Sequence, residues 1–241
     1  MNFKLEVIGF SIESCIAAQL AGAHRIELCD NQADGGTTPS YGCIKAARGK
    51  LSIELYPIIR PRGGDFLYSD EEFAIMKTDI KICKELGCDG VVLGMLDADG
   101  SIDKKRCREL VQLAYPMGVG FHRAFDRVAN AAQALEDVIE TGCERILTSG
   151  LMPKALDGAA AIAALITQAD GRIIIMPGSG IRSENIAAIA QQTGAVEFHT
   201  SAGTFINSNM KYTNKAMKEN LQYFAADEAE IKKIIDCLKK L

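Results

Sequence analysis

The chain is predicted to form a single (β/α)8 barrel of the TIM type with parallel strands, one domain over residues 1–241. Three observations predict it. Short β-rich runs alternate with helical patterns from end to end, which favours a parallel sheet. A glycine-led exit from a helix recurs at Gly22-Ala23, Gly87-Cys88, Gly142-Cys143 and Gly194-Ala195, at separations of 65, 55 and 52 residues. Each interval is about two βα units, with the glycine in the left-handed position that ends a helix. Finally, no G-x-G-x-x-G follows the first strand, so neither an open dinucleotide-binding sheet nor a nucleotide cofactor is expected.

The strand candidates in order are Phe3–Gly9, Arg25–Cys29, Ser52–Ile59, Gly90–Gly94, Gly118–His122, Arg145–Ser149, Arg172–Pro177 and Val196–Ser201. Between them, apolar residues recur near the helical period, as in Glu72–Leu86 and Ala131–Ile139. At the C-terminus Ile231, Ile234, Ile235 and Leu238 share one helical face, with Glu228 four residues before Lys232.

Composition excludes several classes. A net charge of −4 without a basic block argues against a nucleic-acid partner. The N-terminus Met1-Asn2-Phe3-Lys4 leads directly into a strand-like run, and no stretch reaches the apolar length of a membrane span. A cytoplasmic protein with no membrane partner is expected. The eight cysteines are dispersed without a C-x-x-C pair, so they read as reduced, mostly buried small hydrophobes.

In such a barrel the active site lies at the C-terminal ends of the strands, and alternate strand residues face inward. Polar residues at those places are therefore the candidates. Glu6 interrupts Leu5 and Val7, Glu27 lies between Ile26 and Leu28, Arg60 and Arg62 follow the third strand, and His122-Arg123 follow the fifth. Glu197 and His199 alternate in the last strand and share a face. Buried charge is costly unless paired, so Glu6, Glu27 and Glu197 are expected to neutralise Arg60, Arg62 and Arg123 around the mouth. His24, before the second strand, is expected at the surface of the opposite end.

Two loops suggest an anion site: Gly178-Ser179-Gly180 after the seventh strand and Ser201-Ala202-Gly203 after the eighth. Barrels commonly hold phosphate there, with backbone N–H groups and a nearby helix N-terminus. The long loops Cys29–Ser40 and Pro61–Asp70 are candidates to cover a ligand, and Asp70 is expected to cap the next helix.

Several of these segments resemble the CutC family: Arg25-Ile26-Glu27-Leu28-Cys29, Gly35-Gly36-Thr37-Thr38-Pro39-Ser40, Pro57-Ile58-Ile59-Arg60-Pro61-Arg62-Gly63-Gly64-Asp65-Phe66, Phe121-His122-Arg123-Ala124-Phe125-Asp126 and Leu147-Thr148-Ser149-Gly150. The two anion loops match as well, and the resemblance covers about residues 3–213. It implies a cytosolic barrel, often a homodimer, with a role in copper homeostasis through copper binding. Cu(I) prefers thiolate or thioether ligands. In some members a cysteine ends the first strand and another the second; here the second is Cys29, while Ile8 stands at the first. Met95, Met176 or a histidine are the candidates to assist Cys29.

Two functions of different class follow. One is the copper-binding homeostasis protein that the resemblance implies, with Cys29 as ligand. The other is an isomerase, epimerase or lyase acting on a small phosphorylated or carboxylated metabolite. Its anion would rest on Gly178–Gly180 and Ser201–Gly203, with Arg60 and Arg62 gripping a second carboxylate or phosphate and Arg123 beside them. His122 would be the general acid or base, with Glu27 or Asp126 orienting it or sharing the proton. A non-catalytic small-molecule sensor is the third possibility.

Overall fold

Eight parallel strands close into a barrel because each run alternates between two faces that bury different chemistry. The computed structural model describes residues 3–241. Its strands are β1 (Lys4–Gly9), β2 (Arg25–Leu28), β3 (Glu54–Pro57), β4 (Gly90–Leu93), β5 (Gly118–Phe121), β6 (Arg145–Thr148), β7 (Ile174–Pro177) and β8 (Glu197–Thr200). The helices are α1 (Ile12–Leu20), α2 (Tyr41–Lys50), α3 (Asp70–Glu85), α4 (Lys104–Ala114), α5 (Ala131–Thr141), α6 (Ala159–Ala169), α7 (Ile186–Thr193) and α8 (Glu228–Leu238). Every predicted strand is present, and the four glycines marking helix exits, Gly22, Gly87, Gly142 and Gly194, all have positive φ.

The ladders run β3-β2-β1-β8 and β4-β5-β6-β7. The first join is made by Ile59 N–H donating to Val92 O at 2.7 Å and Asp89 N–H to Leu55 O at 3.2 Å. At the other, β7 lies beside β8. Outward residues such as Leu5, Val7, Ile26, Leu28, Leu55 and Phe198 are buried beneath the helices, where the main hydrophobic core sits. On α8, Ile231, Ile234, Ile235 and Leu238 are the buried face, as their spacing predicts.

The barrel interior is polar at its lower level. Glu6, Arg25, Tyr56, Arg145 and Glu197 point inward and are nearly solvent-free. Two glycines make room for them: a Cβ on Gly90 would lie 2.1 Å from Tyr56 Cε1, and one on Gly118 would lie 2.4 Å from Tyr56 Oη. Ile8, Cys29, Tyr56, Ile58 and Val92 form a second, smaller apolar cluster.

One departure lies after β8. The chain does not enter a helix there but forms an antiparallel hairpin, β9 (Gly203–Ile206) with β10 (Tyr223–Ala226), before α8. Phe224 packs edge-on against Phe10 and Phe205, and Ala226 N–H donates to Ser14 Oγ at 3.1 Å. Ser201-Ala202-Gly203 therefore leads into a hairpin rather than directly into a helix, and the N-terminus of α8 comes back to it, Asp227 N–H donating to Ala202 O at 2.9 Å. The cap of α3 also differs. Ser69, rather than Asp70, accepts from Glu72 N–H in a capping box, and Asp70 pairs with Arg106. Among the described residues, no helix is long and apolar enough to cross a membrane.

Candidate functional site

The register of β1 with its neighbours brings the inward charges together. Glu6 stands opposite Arg25 on one side and His199 on the other. Arg25 Nη1 donates to Glu6 Oε2 at 3.2 Å and to Glu197 Oε2 at 3.1 Å, and its Nε donates to Glu54 Oε2 at 2.8 Å. Arg145 Nε reaches Glu197 Oε2 at 3.2 Å. The Tyr56 ring lies against both guanidiniums, 5.0 Å from Arg25 Cζ and 5.3 Å from Arg145 Cζ. The acids at the centre are thus neutralised by Arg25 and Arg145, not by Arg60, Arg62 and Arg123.

One level up, His199 joins this network to the mouth. Its Nδ1 lies 2.7 Å from Glu6 Oε1, and its Nε2 lies 3.8 Å from Glu27 Oε2. Burial alone would raise the Glu6 carboxyl. The His199 hydrogen bond and charge, then Arg25 and Arg145, override it and hold Glu6 down to about 2. An ionised carboxylate only accepts, so His199 Nδ1 carries the proton. Burial opposes the charge on His199, but the Glu6 bond and the Glu27 and Glu6 charges raise its pKa overall. Glu27 differs from Glu6. Burial, reinforced by the Glu6 charge and opposed by His199, pushes it up to about 7.

Above Glu27 lies a cavity of about 90 Å³ at the C-terminal end of the strands, where barrel active sites form. Glu27, Arg60, His122, Arg123 and His199 line it, with Ile8, Ile58, Phe66 and Leu147 as its apolar wall. The small size admits a molecule of a few heavy atoms, or one end of a larger one. Phe66 also borders a larger opening of about 550 Å³ lined by Asp65, Leu96, Asp97 and Arg127.

Four of the predicted site residues, Glu27, Arg60, His122 and Arg123, converge here; others do not. Arg60 spends its terminal nitrogens on backbone carbonyls: Nη1 on Asp34 O and Gly36 O, Nη2 on Gly64 O. It therefore ties the two long loops together instead of gripping an anion with its fork. Arg62 turns outward to Glu72 (2.6 Å) and Asp65 (2.9 Å), away from the cavity. Among the described residues Asp126 forms no side-chain hydrogen bond with His122. It accepts from Arg123 Nε, Thr148 Oγ1 and the Ser149 and Leu151 N–H groups, so it fixes Arg123 and the loop after β6. His122 is held down to about 3 by burial and by Arg60, which leaves it neutral where a proton shuttle would titrate. His24 is exposed, and its Nδ1 accepts from Leu5 N–H at 3.1 Å.

Gly178 backs the cavity wall, since a Cβ there would lie 2.4 Å from Leu147 Cδ1 and 3.3 Å from His199 Cβ. Ser179, at φ 80, donates from Oγ to Pro153 O at 2.7 Å. Gly180 is exposed, as is Ser201, while Ala202 is buried. Ile8, Ile58, Phe66 and Leu147 are wall residues beyond the predicted set, and His199, a polar candidate without an assigned role, joins them. Only His199 carried a signal, its alternation with Glu197.

Cys29 is buried beside Glu27, and a Cβ on Gly36 would lie 3.0 Å from its Sγ. Burial, then the Glu27 and Glu6 charges, raise its thiol well above the usual range. Strands β1 and β3 flank β2, and Ile8 occupies the adjoining position on β1. Met95 and Met176 belong to the β4 and β7 regions, which do not adjoin β2. One thiol among carboxylates does not fit a Cu(I) centre, which needs soft donors. Among the described residues, the group whose ligand atoms cluster is Glu6, Glu27 and His199, a hard oxygen and nitrogen set without Cys29.

A profile of the CutC family matches residues 3–204. A CutC family protein of Chromobacterium violaceum is 56% identical over 212 residues, covering 88% of this chain and 86% of that one. The mouse protein named Copper homeostasis protein cutC homolog is 48% identical over 216 residues, covering 90% and 79%. Among solved structures, the CutC protein of Streptococcus agalactiae superposes with a TM-score of 0.79 at 35% identity, covering 83% of this chain and 98% of its own. From its first strand to its last, this barrel therefore belongs to the CutC family.

Proposed function

We propose that the barrel mouth is the acid–base site of an enzyme acting on a small carboxylated or phosphorylated metabolite, with isomerase, epimerase or lyase chemistry. The observation that carries this reading is a protonatable carboxyl, Glu27, at the floor of a 90 Å³ cavity whose other polar walls are Arg60, Arg123, His122 and His199. A carboxyl titrating near neutrality can both take and return a proton at cellular pH. The cationic wall suits an oxyanion placed next to the carbon that loses its proton. His199, held by Glu6, stabilises the ionised state of Glu27 as it forms. The test is solvent-deuterium exchange, followed by proton NMR, into a panel of small keto acids, hydroxy acids and sugar phosphates. Exchange with at least one of them is expected, falling by about 100-fold or more in Glu27→Gln. No exchange and no binding across the panel would refute the reading.

Copper homeostasis is a statement about process, and the name of the mouse relative supports it for this chain. That role does not require the chain to hold copper. Direct copper ligation is the second reading, favoured only by the burial of Cys29 at the edge of the site. Stoichiometric Cu(I) binding lost in Cys29→Ala would establish it. The reading also includes a cytoplasmic location and a homodimer, checked by cell fractionation and by light scattering.

A further inference from the structure

Two buried nitrogens on residues that line the same cavity make no hydrogen bond of good geometry, Arg60 Nε and His122 Nε2, and the likewise unpaired Tyr68 hydroxyl lies beside Arg60. A buried donor left unsatisfied is costly, so two in one small space need a reason. We infer that Arg60 Nε–H and His122 Nε2–H form a two-donor cradle for one oxygen of a carbonyl or carboxylate group, His122 acting as a neutral donor rather than a proton shuttle. The inference rests on the acid–base reading above and names its substrate class.

The tautomer of His122 follows from its contacts. Nδ1 accepts the N–H of Ala124 at 3.2 Å, so the neutral ring carries its proton on Nε2. The ring lies against bare backbone, because a Cβ on Gly94 would stand 2.6 Å from Nδ1, and Phe66 packs against it with centroids 4.9 Å apart. The charged groups that share its cavity are Arg60, Arg123, Glu27 and His199. Burial and Arg60 disfavour the imidazolium, in keeping with a permanent neutral donor.

Arg60 is equally fixed. Its Nη atoms hold Asp34 O at 2.6 Å, Gly36 O at 2.8 Å and Gly64 O at 3.0 Å, and its Cζ lies 5.0 Å from the Phe66 centroid. Nε is the nitrogen that remains. With a carbonyl oxygen on these donors, the α carbon beside the carbonyl occupies the cavity that Glu27 also lines. The C–H bond breaks, its proton goes to the Glu27 carboxylate, and the electron pair moves onto the cradled oxygen as an enolate. Returning a proton from Glu27 to the same carbon restores the compound with its hydrogen exchanged against solvent, the enolisation step common to isomerases and epimerases, and needs no other reactant. Pre-placed donors of this kind stabilise the charge where it develops.

The test uses the full chain with 15N-labelled histidine, whose three imidazoles give a spectrum assignable from single variants. His122 is expected as the Nε2–H tautomer, unprotonated from about pH 5 to about pH 8. Pyruvate, small enough for the cavity, should shift its Nε2 and Hε2 resonances saturably. His122→Phe and Arg60→Lys should each weaken pyruvate binding about 10-fold or more, the loss of one hydrogen bond to a charged group. An Nδ1–H tautomer, protonation within that range, or no saturable shift at tens of millimolar pyruvate overturns the inference; so does pyruvate binding indifferent to both variants. Since the tautomer is read in the unaltered protein, misfolding of a variant leaves that arm decisive. Glu27-dependent exchange alongside a titrating His122 would sink the cradle alone. A fixed Nε2–H donor without exchange on any compound would sink the acid–base reading instead.

Discussion

Replacing Glu27 by Gln should make the protein more stable and less active, and the stability gain should depend on pH. Burial carries Glu27 from 4.5 to about 7, with the Glu6 charge adding and His199 opposing. Between those values the folded chain keeps a proton that the unfolded chain releases. Stability therefore falls as pH rises from 4.5 to about 7 and levels off above it. At about 1.4 kcal/mol per pH unit, the accumulated cost is about 3 kcal/mol. Glutamine keeps the shape and never ionises, so the variant escapes that cost. Urea unfolding of both proteins should show the variant ahead by up to about 3 kcal/mol at pH 8 and by little at pH 4. Equal differences at the two pH values, or a less stable variant at the higher one, would refute the argument that Glu27 is held against its preference. A functional carboxyl bought at the expense of stability is the trade expected of an active site.

Three further outcomes follow from the same geometry. Arg25→Met removes the cation shared by Glu6, Glu54 and Glu197, but Glu6 keeps His199 and Glu197 keeps Arg145. The loss should be about 3 kcal/mol, the low end for a broken buried pair, and calorimetry should record a Tm lower by about 6–12 °C. Glu6, depressed to about 2, contributes stability that is fully present above 4.5 and is lost as pH falls towards about 2. Acid unfolding followed by circular dichroism should accordingly be shallower in Glu6→Gln over that interval. Lastly, Cu(I) titrated against a chelating competitor should not bind stoichiometrically, and Cys29→Ala should leave the titration unchanged; tight one-to-one binding lost in that variant would restore Cys29 as a ligand.

The barrel was legible because its signals are local. Short β-rich runs, the four glycines at helix exits and the apolar face of α8 each report a nearby backbone or burial requirement. The mouth was legible in part, since Glu27, Arg60, His122 and Arg123 stand at strand ends where a closed barrel must gather them. The pairing of charges was not. Arg25 and Arg145 open their strands, and nothing in their neighbours says that they turn inward to Glu6 and Glu197 until the register of β1, β2, β6 and β8 is known. Arg60 misled for a related reason: its fork is consumed by carbonyls of two loops that lie 24 and 4 residues away. The hairpin β9–β10 escaped notice because its strands are four residues each and separated by an exposed polar segment.

The most direct measurement is a crystal structure of the protein grown with pyruvate, with anomalous data collected at the copper edge after exposure to Cu(I). The keto oxygen should appear within hydrogen-bonding distance of both Arg60 Nε and His122 Nε2, the methyl carbon facing Glu27, with no anomalous peak at Cys29. A copper peak on the Cys29 sulfur, together with a cavity that holds no organic ligand, would contradict the account.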